Sequence, residues 1–130
     1  NYFPFVNEEP QFAGFSIIYL DEGIDTGEII HQGRPKIYLH DSFQQLSCRF
    51  LKHSFKEYIN IAINFDKIEK PIASSNKKCM TRKIYKKADF TEESCKKLYS
   101  KFSKGLLCNY LKNKIELDQS VPILIQNNSF

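Results

Sequence analysis

Apolar positions fall into two kinds of pattern along this 130-residue chain. From Phe15 to Leu20, and again at Ile29-Ile30, apolar and mostly β-branched residues run together between Gly and Asp. Such runs read as short strands joined by a shaped turn. Phe15, Ile17 and Tyr19 fall on one side of the first run and Ser16, Ile18 and Leu20 on the other. Both sides are largely apolar, which predicts a strand covered on both faces, as in an α/β sheet. From Phe43 the period changes. Phe43, Leu46, Phe50, Leu51, Phe55, Tyr58, Ile59, Ala62 and Ile63 recur at three- and four-residue steps, which predicts a long amphipathic helix with this stripe as core. Asp41 or Ser42 is placed to cap its free amides, with Gln44 or Gln45 near the reciprocal position of a capping box.

The remaining segments are read by the same signals. Residues 28–33 and 36–39 form a second extended region broken by Pro35, and a proline there argues for an edge or a break. Pro71 and the polar run Ser74 to Lys78 predict a linker or surface loop, and residues 82–86 an extended piece. Asp89-Phe-Thr-Glu-Glu93 reads as a helix start, with Thr91 as cap and two acids in the positive first turn. Leu98, Phe102, Leu106, Leu107, Tyr110 and Leu111 follow at helical spacing, and Gly105 either kinks that helix or divides it. Residues 120–126 read as a short apolar extended tail with a frayed, Asn-rich end.

Length and composition narrow the setting. The chain fits one domain with a modest core, and no apolar run approaches the roughly 20 residues of a membrane span. A basic segment leading into an apolar one, as in a secretory signal, is missing. The chain opens without Met inside an aromatic run and reads as a piece of a longer protein. Cys48, Cys79, Cys95 and Cys108 stand singly, without zinc, redox or disulfide spacing, which points to reduced thiols in the cytoplasm. His31, His40 and His53 give no metal spacing and read as lone surface or strand-end residues. Positive charge gathers at Lys77, Lys78, Arg82, Lys83, Lys86 and Lys87 and continues at Lys96, Lys97, Lys101 and Lys104. The nearby Tyr85, Phe90, Tyr99 and Phe102 are spaced for an apolar helix face, so a solvated face is favoured over a nucleic-acid surface. The patch would still attract an anionic substrate.

The chemistry concentrates between the two strands. Asp21, Glu22, Asp25 and Glu28 crowd four acids into eight positions, and one of them titrates abnormally if water is excluded. Gly23 and Gly27 permit unusual backbone angles and a close approach of the main chain to a ligand. The run Leu20-Asp-Glu-Gly-Ile-Asp-Thr-Gly-Glu-Ile-Ile30 resembles the catalytic loop of the folate-dependent formyltransferases, a family that includes glycinamide ribonucleotide, methionyl-tRNA and sugar-nucleotide formyltransferases. Asp25 falls on the family's catalytic aspartate.

That resemblance implies an α/β fold: the second half of a Rossmann-like formyltransferase domain, few-stranded and with a long helix, followed by a helical C-terminal extension. Residues 1–70 would be the catalytic-domain part and residues 71–130 the lysine-rich extension. A short helix is implied before the first strand. It also implies 10-formyltetrahydrofolate as formyl donor, with Leu20, Asp21, Glu22, Gly23 and Ile24 wrapping its pterin ring, Thr26 and Gly27 shaping the turn, and no metal. In the family an asparagine and a histidine hold the oxyanion while the aspartate orients the histidine and relays protons. The sequence holds no Asn-x-His and no Pro-x-x-Arg-Gly, so the chain is expected to be inactive alone and to need a missing N-terminal half or a homo-oligomer partner. The expected acceptor is a small-molecule or sugar-nucleotide amine, with methionyl-tRNA as the alternative substrate. The competing reading is a non-catalytic folate-binding or interaction module, docking through exposed Phe3, Phe5 and Phe12.

Overall fold

The computed structural model describes residues 2–23, 27–68, 83–121, 124 and 126. The chain enters through a single helical turn, α1 (Phe3–Val6), with Pro4 in its first turn, and a 3-10 turn at Pro10–Phe12. Strands β1 (Phe15–Ile18) and β2 (Ile29–Gly33) follow, then the long helix α2 (Phe43–Ile63). The second half supplies α3 (Glu92–Ser103), α4 (Leu106–Lys112) and α5 (Lys114–Gln119).

β1 and β2 pair antiparallel as a two-stranded sheet, with Phe15 opposite Gly33 and Ile17 opposite His31. Between Ile17 and Ile18 the register slips, because Ile18 pairs with Ile29 and leaves Ile30 as the extra residue of a bulge. The strand covered on both faces is not found. Phe15, Ile17 and Ile18 are half-buried and Ser16 is exposed, since among the described residues no further strand joins β1. The extended reading of residues 36–39 also fails; regular pairing ends at Gly33, before Pro35.

The core lies elsewhere. Phe5, Ala13, Leu46, Leu98, Leu106 and Leu107 form one buried cluster, with Tyr2, Val6, Ile37, Phe43 and Phe102 packed against it. At its centre the rings of Phe5, Phe43 and Phe102 meet one another at centroid distances of 5.8–5.9 Å. This corrects the docking role expected of Phe5, which is 1% exposed and serves as the plug of the core. Phe3 is half-buried, stacked on Tyr85, and only Phe12 remains exposed. Hydroxyl bonding fixes the same seam, where the Tyr2 hydroxyl and Ser94 Oγ are 2.8 Å apart.

Local sequence sets the helix ends. Ser42 caps α2, its Oγ accepting from the Gln45 amide at 3.2 Å while Gln45 Oε1 accepts from the Ser42 amide at 2.9 Å. Thr91 caps α3, accepting from the Ser94 amide at 3.1 Å, and Glu92 and Glu93 occupy its first turn. Gly105 divides the helical run. Its φ of +86° is a left-handed conformation that favours glycine, and it sits between α3 and α4.

α2 spans the stretch its period predicts, but only three of the nine residues in its apolar stripe, Phe43, Leu46 and Phe50, face the interior. Leu46 and Ile61 are buried and Phe43 and Phe50 partly so. Leu51, Phe55, Tyr58, Ile59 and Ile63 are each more than half exposed, and Ala62 is exposed with them. The physical reason is geometric: the stripe is wider than the surface that the described residues offer to cover it.

Much of the basic surface is paired. Lys83 reaches Glu9 at 2.7 Å, Lys96 and Lys97 reach Glu92 and Glu93 one turn back, and Lys101 reaches Glu8. Lys77, Lys78 and Arg82, the expected linker around Pro71, and the frayed end at 127–130 lie outside the described residues. Residues 83–86 carry no regular structure. Among the described residues no helix is long and apolar enough to cross a membrane.

Candidate functional site

The loop between the strands is closed by main chain. The Tyr19 amide donates to the Glu28 carbonyl at 2.9 Å, carrying the ladder beyond the strand ends. Gly27 lies directly under Tyr19. A Cβ built there would stand 1.6 Å from the Tyr19 carbonyl oxygen. No side chain is tolerated at that distance, so the glycine is required by backbone packed on backbone. Among the described residues positive φ occurs only at Glu8 and Gly105, so Gly23 does not use the angles expected of it. Instead its amide donates to Asp21 Oδ1 at 3.0 Å, an Asx turn that bends the loop.

Above this base the loop faces water. Leu20 is 97% exposed, and Asp21, Glu22, Gly23 and Glu28 are exposed too. Water reaches the three described acids, Asp21, Glu22 and Glu28. Ile24, Asp25 and Thr26 lie outside the described residues. Three surface cavities of about 220–260 Å³ lie away from the described loop residues. Asp21 is thereby assigned to the turn, while Leu20 presents an apolar side chain with nothing over it.

Below the loop the sheet packs on α2 through a cluster that no motif announces. Phe15 sits over Gly33, where an added Cβ would come within 2.4 Å of its ring. Its ring also meets His31, Phe50 and His53 at centroid distances of 6.1, 5.7 and 5.5 Å. His53 Nε2 approaches Glu57 Oε1 at 3.6 Å one turn on. His31 is buried, not the strand-end residue expected. Burial lowers its pKa and neighbouring His53 lowers it further, against the pull of the Glu57 carboxylate. The i,i+4 spacing of His53 and Glu57 was visible in the sequence; their meeting with β2 is tertiary.

A second polar cluster ties the sheet to the helix start. Arg49 grips Asp41 with two bonds of 2.7 and 2.6 Å, and also donates to the Lys36 carbonyl at 2.8 Å. Its guanidinium lies 4.4 Å from the Tyr38 ring centroid, and the Tyr38 amide donates to Asp41 Oδ2. Asp41 is held below the usual carboxylate range, chiefly by Arg49. This fixes the connection from β2 to α2. At the far end of β2, Arg34 meets Asp118 at 3.4 Å, and the same carboxylate accepts from Tyr110 and Lys114.

A family model described as formyl transferase matches residues 7–62, from just before the first 3-10 turn to the last turn of α2. Over those 56 of its 130 residues the chain is similar to the formyl transferase family. No curated protein and no solved structure matches the chain significantly. The matched stretch contains the whole hairpin, its loop and all of α2 but Ile63, and the mixed helix-and-sheet fold is compatible with part of an α/β formyltransferase domain. Among the described residues no group of three or more His, Cys, Asp or Glu could hold a metal ion. Cys48, Cys95 and Cys108 are free thiols, and Cys79 lies outside the described residues.

Proposed function

We propose that this chain is the loop-bearing part of an enzyme that moves a formyl group from 10-formyltetrahydrofolate to a small-molecule amine, a sugar nucleotide being the favoured class. The family match over residues 7–62 carries the reading. The exposed loop supports it: a flat heterocycle laid on residues 20–23 would cover the bare Leu20 side chain and meet main-chain donors and acceptors held in place by the Tyr19–Glu28 bond. Covering a leucine is worth on the order of 1.5 to 3 kcal/mol. The residues therefore fit the pterin end of the donor in chemical type. The donor supplies an activated formyl carbon when bound.

Formyl transfer passes through a tetrahedral carbon bearing an oxyanion, and the attacking amine must lose a proton. Asp25 is assigned the proton-relay and orienting role, Asp21 the turn, and Gly27 the tight closure. The oxyanion donors are not supplied by an Asn-x-His in this chain, so it binds the donor without turning it over until a partner polypeptide provides them. The free thiols support a cytoplasmic setting. Titrating the purified chain with 10-formyltetrahydrofolate, following ligand absorbance and released tetrahydrofolate, tests this. Saturable binding without formyl transfer is expected, about tenfold weaker in Leu20→Ser. Absence of binding in the wild type at millimolar donor would refute the folate site; turnover by the chain alone would refute its incompleteness.

A further inference from the structure

One of the three cavities, of about 220 Å³, is lined by the 3-10 turn at Pro10–Phe12, by the paired ends of β1 and β2 and by Val121 and Leu124 beyond α5. Two polar side chains in its lining lack the partners their chemistry calls for. The first is Gln11. It is only 8% exposed, yet its buried Oε1 accepts no hydrogen bond from any described residue. A buried acceptor without a donor destabilises a fold, so one that is kept calls for a group that comes to meet it. The terminal amide torsion of glutamine is soft, which lets this oxygen turn toward a donor in the cavity.

The second is Arg34. Its guanidinium carries five N–H donors, but its ion pair with Asp118 is 3.4 Å long and it donates no hydrogen bond to a described residue. Asp118 is shared, because it also accepts from Tyr110 and pairs with Lys114. Two cations thus meet one carboxylate, and a positive charge is left over. Ser16 and Gln32, in the same lining, bond to each other at 3.2 Å. Phe12, Val121 and Leu124 add apolar wall.

We propose that this cavity binds a small carboxylic acid bearing a hydroxyl or amino group, its carboxylate on Arg34 and its O–H or N–H donor on Gln11 Oε1. The volume corresponds to roughly seven waters at about 30 Å³ each, enough for an acid with a short alkyl chain against the apolar wall. The inference is independent of the formyltransferase reading, since it uses no residue of the loop between the strands.

Two probes that differ by one hydroxyl test it, 2-hydroxy-4-methylpentanoate and 4-methylpentanoate, titrated into the wild-type chain and followed by ligand-observed NMR. The hydroxy acid is expected to bind saturably at about 1 mM or below, and about tenfold more tightly than the other acid. Gln11→Met keeps the side-chain length and removes the acceptor, so it should bind both acids equally weakly. Its urea midpoint should be unchanged or raised, because an unpaired buried acceptor has been removed. Arg34→Gln should weaken both acids about tenfold or more, and Arg34→Lys should recover part of that loss while circular dichroism stays constant. No saturable binding by about 20 mM, or equal binding of the two acids by the wild type, would mean that Gln11 meets an ordered water only and would overturn the proposal. A preference for the hydroxy acid that survives in Gln11→Met, or a lowered urea midpoint there, overturns it as well.

Discussion

The two ends of α2 live in different environments. Its first turns insert Phe43 and Leu46 among Phe5, Leu98, Leu106 and Leu107, apolar side chains from other segments. Its later turns bury Ile61 alone and carry Leu51, Phe55, Tyr58, Ile59 and Ile63 outward. A single apolar period thus serves as core at one end and as surface at the other. Burial depends on what the rest of the chain brings, so equal hydrophobicity gives unequal stability.

Substitutions that should be equivalent by sequence sharpen that contrast. Leu98→Ala removes a fully buried side chain and is expected to cost about 3 kcal/mol, the typical range for a buried leucine. Leu51→Ala, on the outer face of α2, is expected to cost less than about 1 kcal/mol. Urea unfolding of both variants at low protein concentration checks this. Equal losses would mean that Leu51 is as well packed as Leu98 and would break the comparison.

Gly27→Ala probes the hairpin, the less protected region. The methyl group would fall 1.6 Å from the Tyr19 carbonyl oxygen, so the strand ends must separate. The loop closure is expected to weaken by about 2 kcal/mol, read as at least tenfold faster exchange of the Tyr19 amide. Exchange of the Leu98 amide should stay unchanged, because the core cluster contains no residue of the loop. Unaltered exchange at Tyr19 would show that the loop closes by some other contact.

The polar clamp between the regions comes next. Arg49→Met leaves the Asp41 carboxylate, only 6% exposed, without its cation, at a cost of about 2 kcal/mol at neutral pH. The sign with pH follows from the lowered Asp41 pKa. The folded state holds the carboxylate ionised more strongly than the unfolded chain does, so the clamp's contribution is present above the ordinary carboxylate pKa. It is lost as pH falls through the depressed one. Acid unfolding of Arg49→Met should therefore begin at a higher pH than in the wild type. Coincident acid transitions would remove this clamp from the pH response.

These contrasts also mark where sequence reading succeeds. Ser42 with Gln45, Thr91 with its two following acids, and Gly105 as a helix divider are local signals, decided within four residues, and each appears in the structure. The loop was legible because its acids, glycines and flanking strands are contiguous; the family match covers them together. Phe5 was misread because nothing near it in sequence shows that α3 and α4 close over it. The outer α2 stripe was misread because a periodic pattern states which face is apolar but not whether anything arrives to cover it. His31 reads as a lone surface or strand-end residue for the same reason: its neighbours Phe15 on β1 and His53 and Glu57 on α2 come from two other stretches of the chain.

His31 supplies the mildest test, and it reports on the sheet–helix contact alone. Its pKa is lowered, mainly by burial, so the folded state binds the proton less readily than the unfolded chain. Stability should therefore be full at neutral pH and decline as pH falls below about 6.5, levelling once the depressed folded pKa has been passed. The Asp41 clamp does not contribute in that window, since its carboxylate stays ionised until more acidic pH. Replacing His31 with Gln keeps a polar, uncharged side chain of similar length and removes the titrating group. Urea midpoints measured from pH 7.5 to 5 should fall for the wild type and change less for His31→Gln. Parallel declines in the two proteins would assign the effect to other groups and show that His31 accepts its proton without strain on the packing of β2 against α2.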